Sequence, residues 1–175
     1  MNIVRSAFGY YETTGNPQDA DVVIGHSFGT LTDQTSANYA LAEFIAEHAQ
    51  GRPIVADKML ADAFTPDMPK VNRMVEGEIS NTFGKGTGTW GTLLRARAYM
   101  EGKGLHHPLM VAQAFHIGRV VMQAQTEKIG MDPIVPANLP RNFDSESKQI
   151  WTRSLTLWIP REVFGSFVLR DQGRL

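Results

Sequence analysis

With 175 residues, 42% of them hydrophobic and 20% charged, the chain suits one soluble α/β-sized domain with a substantial core. A net charge of -1 gives no reason to expect nucleic acid or a membrane surface as a partner. Cysteine is absent, which excludes thiolate catalysis, cysteine-based zinc sites and disulfides, and no other metal-ligand set is read.

No run of about 18 apolar residues exists, so no membrane insertion by this chain is expected. Met1-Asn2-Ile3-Val4-Arg5 lacks the long apolar stretch of a signal peptide, which predicts a cytoplasmic location. Along the chain, Asn2 to Tyr10 can hold a short strand, followed by the turn cluster Thr13 to Pro17. Asp21 to Ile24 reads as a short apolar strand. Residues 35 to 49 read as a helix, with Leu41, Phe44, Ile45 and His48 on one face. Gly51-Arg52-Pro53 stops it, and Ile54-Val55-Ala56 is the next strand. Residues 59 to 75 carry two prolines and no clear period, and Glu78 to Phe83 can form a strand ahead of the glycine-rich residues 84 to 88. A helix is expected over 91–102, a strand over Pro108 to Ala112, a helix over 116–129 and a strand at Pro133-Ile134-Val135. The tail from Ser145 reads as helix, broken or kinked near Pro160. Alternating strands and helices predict a single α/β domain over residues 1–175, with a mostly parallel sheet of about five strands. Ligands of such sheets bind outside the carboxyl ends of the strands. Three loops fall there, at 25–30, 84–90 and 113–116, all rich in Gly, Ser, Thr, Gln or His.

Gly25-His26-Ser27-Phe28-Gly29 fits G-x-S-x-G, in which a strained turn lifts a nucleophilic serine above a sheet. His116 and several aspartates lie downstream in the order such hydrolases use. Against that reading, only about twenty residues precede the loop, and Thr30 to Asp33 separate the serine from any helix. A tight glycine-rich turn forming one wall of a ligand site suits the surroundings better. Gly86 to Gly91 fits G-x-G-x-x-G, but the following strand ends at Ala112-Gln113, with no acid to hold a ribose. The P-loop pattern fails at Ile79 and Gly86.

Gln113 to Arg119, "QAFHIGR", is the third feature. His116 closes a strand and opens a helix, and Arg119 lies three residues on, on the same side of the first turn. A histidine, an arginine and the free amides of a helix start together favour an anion such as phosphate or carboxylate.

The stretch from Gly86 to Ala137, "GTGTWGTLLRARAYMEGKGLHHPLMVAQAFHIGRVVMQAQTEKIGMDPIVPA", resembles the ElyC/SanA/YdcF family of domains of unknown function, in the SanA flavour. The matching elements are Thr89, the helix Leu93 to Met100, the strand Leu109 to Gln113, Phe115-His116 and Arg119. The strand ending in Gly25 matches the family's glycine-rich first loop, and Glu162 resembles the acid near the end of these domains. The resemblance extends over most of residues 19 to 165 and is strongest over 86 to 137. It departs at Gly91, where relatives carry an acidic or polar residue. The resemblance implies a Rossmann-like α/β fold and a link to bacterial envelope biogenesis and antibiotic tolerance. It implies S-adenosylmethionine binding in one branch, no common reaction, and a membrane anchor in many relatives.

Together these readings predict a polar pocket for a small, anionic, phosphorylated or nucleotide-like ligand. Gly25 and Gly29 would let amides approach it, and His26 and Ser27 would supply hydrogen bonds. Thr87, Thr89, Gln113, His116 and Arg119 would face it from the neighbouring loops. His116 is the natural acid or base, with Arg119 beside it, and phosphoester or phosphoanhydride hydrolysis is the reaction that fits. A non-catalytic binding module and a serine esterase built on Ser27 are the alternatives. No cofactor and no oligomeric state are specified.

Overall fold

The computed structural model describes residues 7–75 and 88–171. Four short strands form one all-parallel sheet: β1 (Val22–Gly25), β2 (Ile54–Asp57), β3 (Arg73–Val75) and β4 (Pro108–Val111), in the order β3-β2-β1-β4. Around it lie α1 (Ala37–Ala49), α2 (Lys58–Ala61), α3 (Thr89–Lys103), α4 (Ile117–Ala124) and α5 (Leu155–Asp171). No described helix is long and apolar enough to cross a membrane.

The strands are apolar throughout because both faces of the sheet are covered. Val22, Val23, Ile24, Ile54, Val55, Leu109, Met110 and Val111 are all fully buried, as continuous runs in parallel sheets usually are. Ser36 caps α1 by accepting from the Tyr39 amide, and Leu41, Ala42, Ile45 and Ala49 face the core. Left-handed Gln50 then ends the helix. The core face of α4 carries Ile117, Val120, Val121 and Ala124.

Several expectations are corrected. The sheet has four strands among the described residues, not about five. Ile134 makes one parallel bridge to Leu109, donating to Pro108 and accepting from Met110. Pro133 and Pro136 flank it without amide protons and prevent the ladder from extending, and Val135 turns away to pair with Thr14. Helix α4 stops at Ala124 rather than 129, since Ile129 and Gly130 both donate to the Thr126 carbonyl and turn the chain. The tail becomes regular helix only at Leu155 and then runs through Pro160. Ala7 to Gly9 is a helical turn rather than a strand, and the rest of the expected first strand precedes the described residues. The expected strand at 78–83 also lies outside the described residues, with Gly86 and Thr87. Two elements inside 59–75 carried no period because they are so short: the last turn of α2, and β3, whose Arg73 and Met74 are exposed.

The strand order places the candidate site. The chain builds β1, β2 and β3 in one direction, then crosses back to lay β4 against the free side of β1. The crossovers leaving β1 and β4 therefore diverge, and a crevice opens between their carboxyl ends. His26, just past β1, donates its amide to Val111 at the end of β4 and ties the two ends together.

Gly25 faces the other side of the sheet. A Cβ there would lie 2.5 Å from Leu60 Cδ2 and 2.7 Å from Ile45 Cδ1. The glycine serves helix packing against the strand, not ligand approach. Gly25→Ala is expected to lower stability by about 1–3 kcal/mol through overpacking, read as a reduced urea midpoint. An unchanged midpoint would show that Leu60 and Ile45 yield freely.

Candidate functional site

Successive side chains of a strand point to opposite faces. Because Gly25 faces Ile45 and Leu60, His26 points to the other face, that of His116 and Arg119. Three elements converge there: the start of α3 with Thr89, the start of α4 with His116 and Arg119, and the middle of α5 with Glu162.

These four residues form one bonded chain. Arg119 Nε reaches both oxygens of Glu162 at 2.9 Å, and its Nη2 lies 3.1 Å from His116 Nδ1. His116 Nε2 lies 3.2 Å from Thr89 Oγ1. A guanidinium can only donate, so Nδ1 must accept; the proton of the neutral ring then sits on Nε2 and is donated to Thr89. The 3.8 Å between His116 Nδ1 and Glu162 is too long for a hydrogen bond.

Burial sets the charges. His116 is held below the usual histidine range first by burial and then by the Arg119 charge, with Glu162 opposing. Burial alone would raise Glu162, but the Arg119 guanidinium and His116 hold it low, so it stays ionised. Arg161, beside Glu162 on α5, is brought down to about 10 by burial and by Arg119, and is still charged at neutral pH. The Arg161 guanidinium also lies over the Trp151 ring, 4.9 Å from its centroid. Aromatic rings keep the chain dry: Trp158 stands edge-on to His116 at 5.5 Å and donates its indole N–H to the Phe115 carbonyl. Phe28 lies 4.8 Å from Trp158 and 6.5 Å from His116.

The G-x-S-x-G loop works differently from expectation. Its amides are spent on the protein: Ser27 N–H goes to Asp57, Phe28 N–H to Asn38 and Thr30 N–H to Ser147. Both nitrogens of His116 are taken by Thr89 and Arg119, so Ser27 has no histidine base in this arrangement. Gly29, at φ +86°, needs glycine because a Cβ would lie 2.6 Å from Asp144 Oδ2. Gly25 and Gly29 therefore open no path for a ligand.

Gln113 is also structural. It is fully buried, donates to the Asn142 carbonyl and accepts from the Phe115 amide. Three of the amides at this helix start are already used: His116 and Ile117 both donate to the Gln113 carbonyl, and Arg119 donates to that of His116. An anion here would be held mainly by side chains. Beside Thr89, nothing among the described residues lies within 4 Å of a Cβ placed on Gly88. A separate cleft of about 550 Å³ is lined by Thr30, Asp33, Met59 and Lys148 among others, and by none of the four bonded residues.

Sequence reasoning missed Asp57, Trp158 and Arg161. Asp57 was legible in principle, since an aspartate between an apolar strand and a helical turn is a capping signal; it accepts from Leu60 N–H. Arg161 and Trp158 carry no local signal.

His26 is nearly sealed, at 1% exposure, and neither ring nitrogen has a hydrogen-bond partner. Its pKa is pulled down to about 3 by burial first, then by His116 and Arg119. A histidine neutral when folded but titrating near 6.5 when unfolded binds fewer protons in the fold at lower pH. Its stability contribution is complete above about pH 6.5 and is lost as pH falls toward 3. Stability should therefore decline through this window, and His26→Phe should flatten the slope by up to about 1.4 kcal/mol per pH unit, measured by denaturant titration at several pH values. An unaltered slope would mean that His26 is protonated in the fold.

No protein-family profile, curated protein or solved structure matches this chain.

Proposed function

We propose that the chain is a Rossmann-like, small-ligand-handling domain that binds a phosphorylated or nucleotide-like molecule in the crevice between the ends of β1 and β4. The observation that carries this is the charge arrangement at the crevice: Arg119 stands beside His116, and Arg161 is near enough for the Arg119 charge to lower its pKa. Guanidinium groups beside an imidazole suit an anion, and a planar guanidinium fork suits phosphate oxygens. The four bonded residues, Thr89, His116, Arg119 and Glu162, are those that the ElyC/SanA/YdcF resemblance nominates, which supports that family reading and its envelope-related setting.

If the bound molecule is turned over, phosphoester or phosphoanhydride hydrolysis is the reaction that fits. Neutral His116 donates its Nε2 proton to Thr89 Oγ1, which leaves the Thr89 hydroxyl proton free to hydrogen-bond a phosphate oxygen, while Arg119 offsets developing charge. One observation favours the second reading, binding without turnover, of an S-adenosylmethionine-like or envelope-precursor ligand. Both His116 nitrogens are already engaged, and buried Gly91 stands where relatives carry a polar or acidic group. A serine esterase is the least supported, because Ser27 leans on Asp57 and not on a histidine.

The anion reading is tested by thermal unfolding in rising inorganic phosphate or AMP, which should raise the midpoint in proportion to the logarithm of ligand concentration. Arg119→Ala is a poor probe, because it strands the Glu162 charge in the interior, at a cost of about 3–5 kcal/mol. Arg161→Ala is better: the fold should survive and the phosphate-dependent shift should shrink by about half or more, since an exposed or half-buried charge contact is lost. A wild-type midpoint indifferent to phosphate would sink this reading.

A fluorophosphonate probe should leave native protein unlabelled. Stoichiometric modification of Ser27, seen by peptide mass spectrometry, would instead promote the esterase.

A further inference from the structure

The cleft of about 550 Å³ lies apart from the bonded chain of Thr89, His116, Arg119 and Glu162. Its walls come from three places: Thr30 to Asp33 after β1, Met59 after β2, and Lys148 with Gln149 ahead of α5. It therefore stands at the carboxyl end of the sheet, where parallel sheets take their ligands, and its volume is that of a small-molecule site. Backbone bonds fix these walls. Thr30 N–H donates to Ser147 Oγ, Lys148 N–H donates to Thr30 Oγ1, and the Leu31 carbonyl accepts from Asn38 Nδ2. Thr152 donates its amide and its hydroxyl to the Gln149 carbonyl. The side chains are left over. Asp33 accepts from the Thr35 hydroxyl and amide through Oδ1 alone, and these bonds hold its carboxyl below the ordinary range, so it is charged at neutral pH. Among the described residues nothing bonds Asp33 Oδ2, Lys148 Nζ or the Gln149 side-chain amide, and Asp33 and Lys148 form no ion pair with each other. A negative and a positive group thus share one cleft without neutralising each other, and half-buried Leu31 and Met59 add apolar surface to it.

We propose that this cleft is a second ligand site, for a free α-amino acid with an aliphatic side chain, whose ammonium goes to Asp33, its carboxylate to Lys148 and its side chain to Leu31 and Met59. A simple anion would meet repulsion from Asp33, and a simple cation from Lys148. A zwitterion satisfies both, and each contact is a charge-assisted hydrogen bond. The Gln149 amide offers donors and an acceptor, so it can bond either end. An aliphatic side chain matches the remaining apolar wall. Because no residue is shared with Thr89, His116, Arg119 or Glu162, this site stands independently of the anion reading.

Three probes separate the contacts. L-Leucine carries both charges, 4-methylpentanoate keeps the side chain and the carboxylate, and 3-methylbutylamine keeps the side chain and the ammonium. Titration calorimetry on the wild-type chain should show L-leucine binding about tenfold more tightly than either analogue. Asp33→Asn retains an acceptor for Thr35 and should bring L-leucine down to the level of 4-methylpentanoate. Lys148→Gln retains the backbone bond to Thr30 and should bring it down to that of 3-methylbutylamine. Both side chains are exposed, so both variants should stay folded and keep the response to phosphate. L-Leucine should also move the methyl resonance of Met59. No binding of L-leucine, equal affinity for the three probes, or an L-leucine affinity unchanged in either variant overturns the amino-acid site and leaves the anion reading standing. A phosphate-indifferent midpoint with L-leucine binding intact removes the anion reading alone.

Discussion

A carboxylate sealed from water must be paired, and Glu162 is such a group: it is 3% exposed on α5. Leaving it charged in the interior without a cation would cost several kcal/mol. Arg119 answers that demand with its Nε toward both oxygens. Everything else at the crevice follows. A guanidinium oriented by Glu162 presents Nη2 to His116, which fixes the imidazole tautomer and sends its proton toward Thr89. Three helices are thereby locked at one end of the sheet by a single chain of donors and acceptors.

Such an arrangement is a weak source of net stability, since desolvation offsets most of the attraction. Its value lies in geometry. Each group is held in one protonation state and one orientation before any ligand arrives, so little reorganisation remains for binding. The ring walls of Trp158 and Phe28 keep the local dielectric low. Electrostatic attraction for an anion is strongest where water is excluded in this way.

The loop after β1 shows how far a short pattern can mislead. G-x-S-x-G occurs where a strand meets a turn, as in hydrolases. Here its glycines answer two steric demands, Leu60 and Ile45 against Gly25, and Asp144 against Gly29. Its amides stitch β1 to Asp57, Asn38 and Ser147, so the loop is a brace that joins the sheet to α1, α2 and the segment before α5. The buried ring nitrogens of His26 are left without a partner.

The sequence by itself determined the α/β alternation, the parallel sheet, the apolar face of α4, the Leu41 and Ile45 part of that of α1, and the pairing of His116 with Arg119. These depend on periodicity and on three-residue spacing in a helix, which are local. It also nominated Thr89 and Glu162, through short motifs rather than through any force readable along the chain. It did not determine that Ile134 makes one bridge instead of a strand, that Gln113 is tied to the Asn142 carbonyl, or that the His116, Ile117 and Arg119 amides are already used. Nor could it place Arg161 and Trp158, which reach the site from α5, more than 35 residues beyond His116. Only the tertiary structure decided these points, because hydrogen-bond satisfaction and charge pairing in the interior are settled between distant segments, and a donor's partner is unknown until the chain has folded around it.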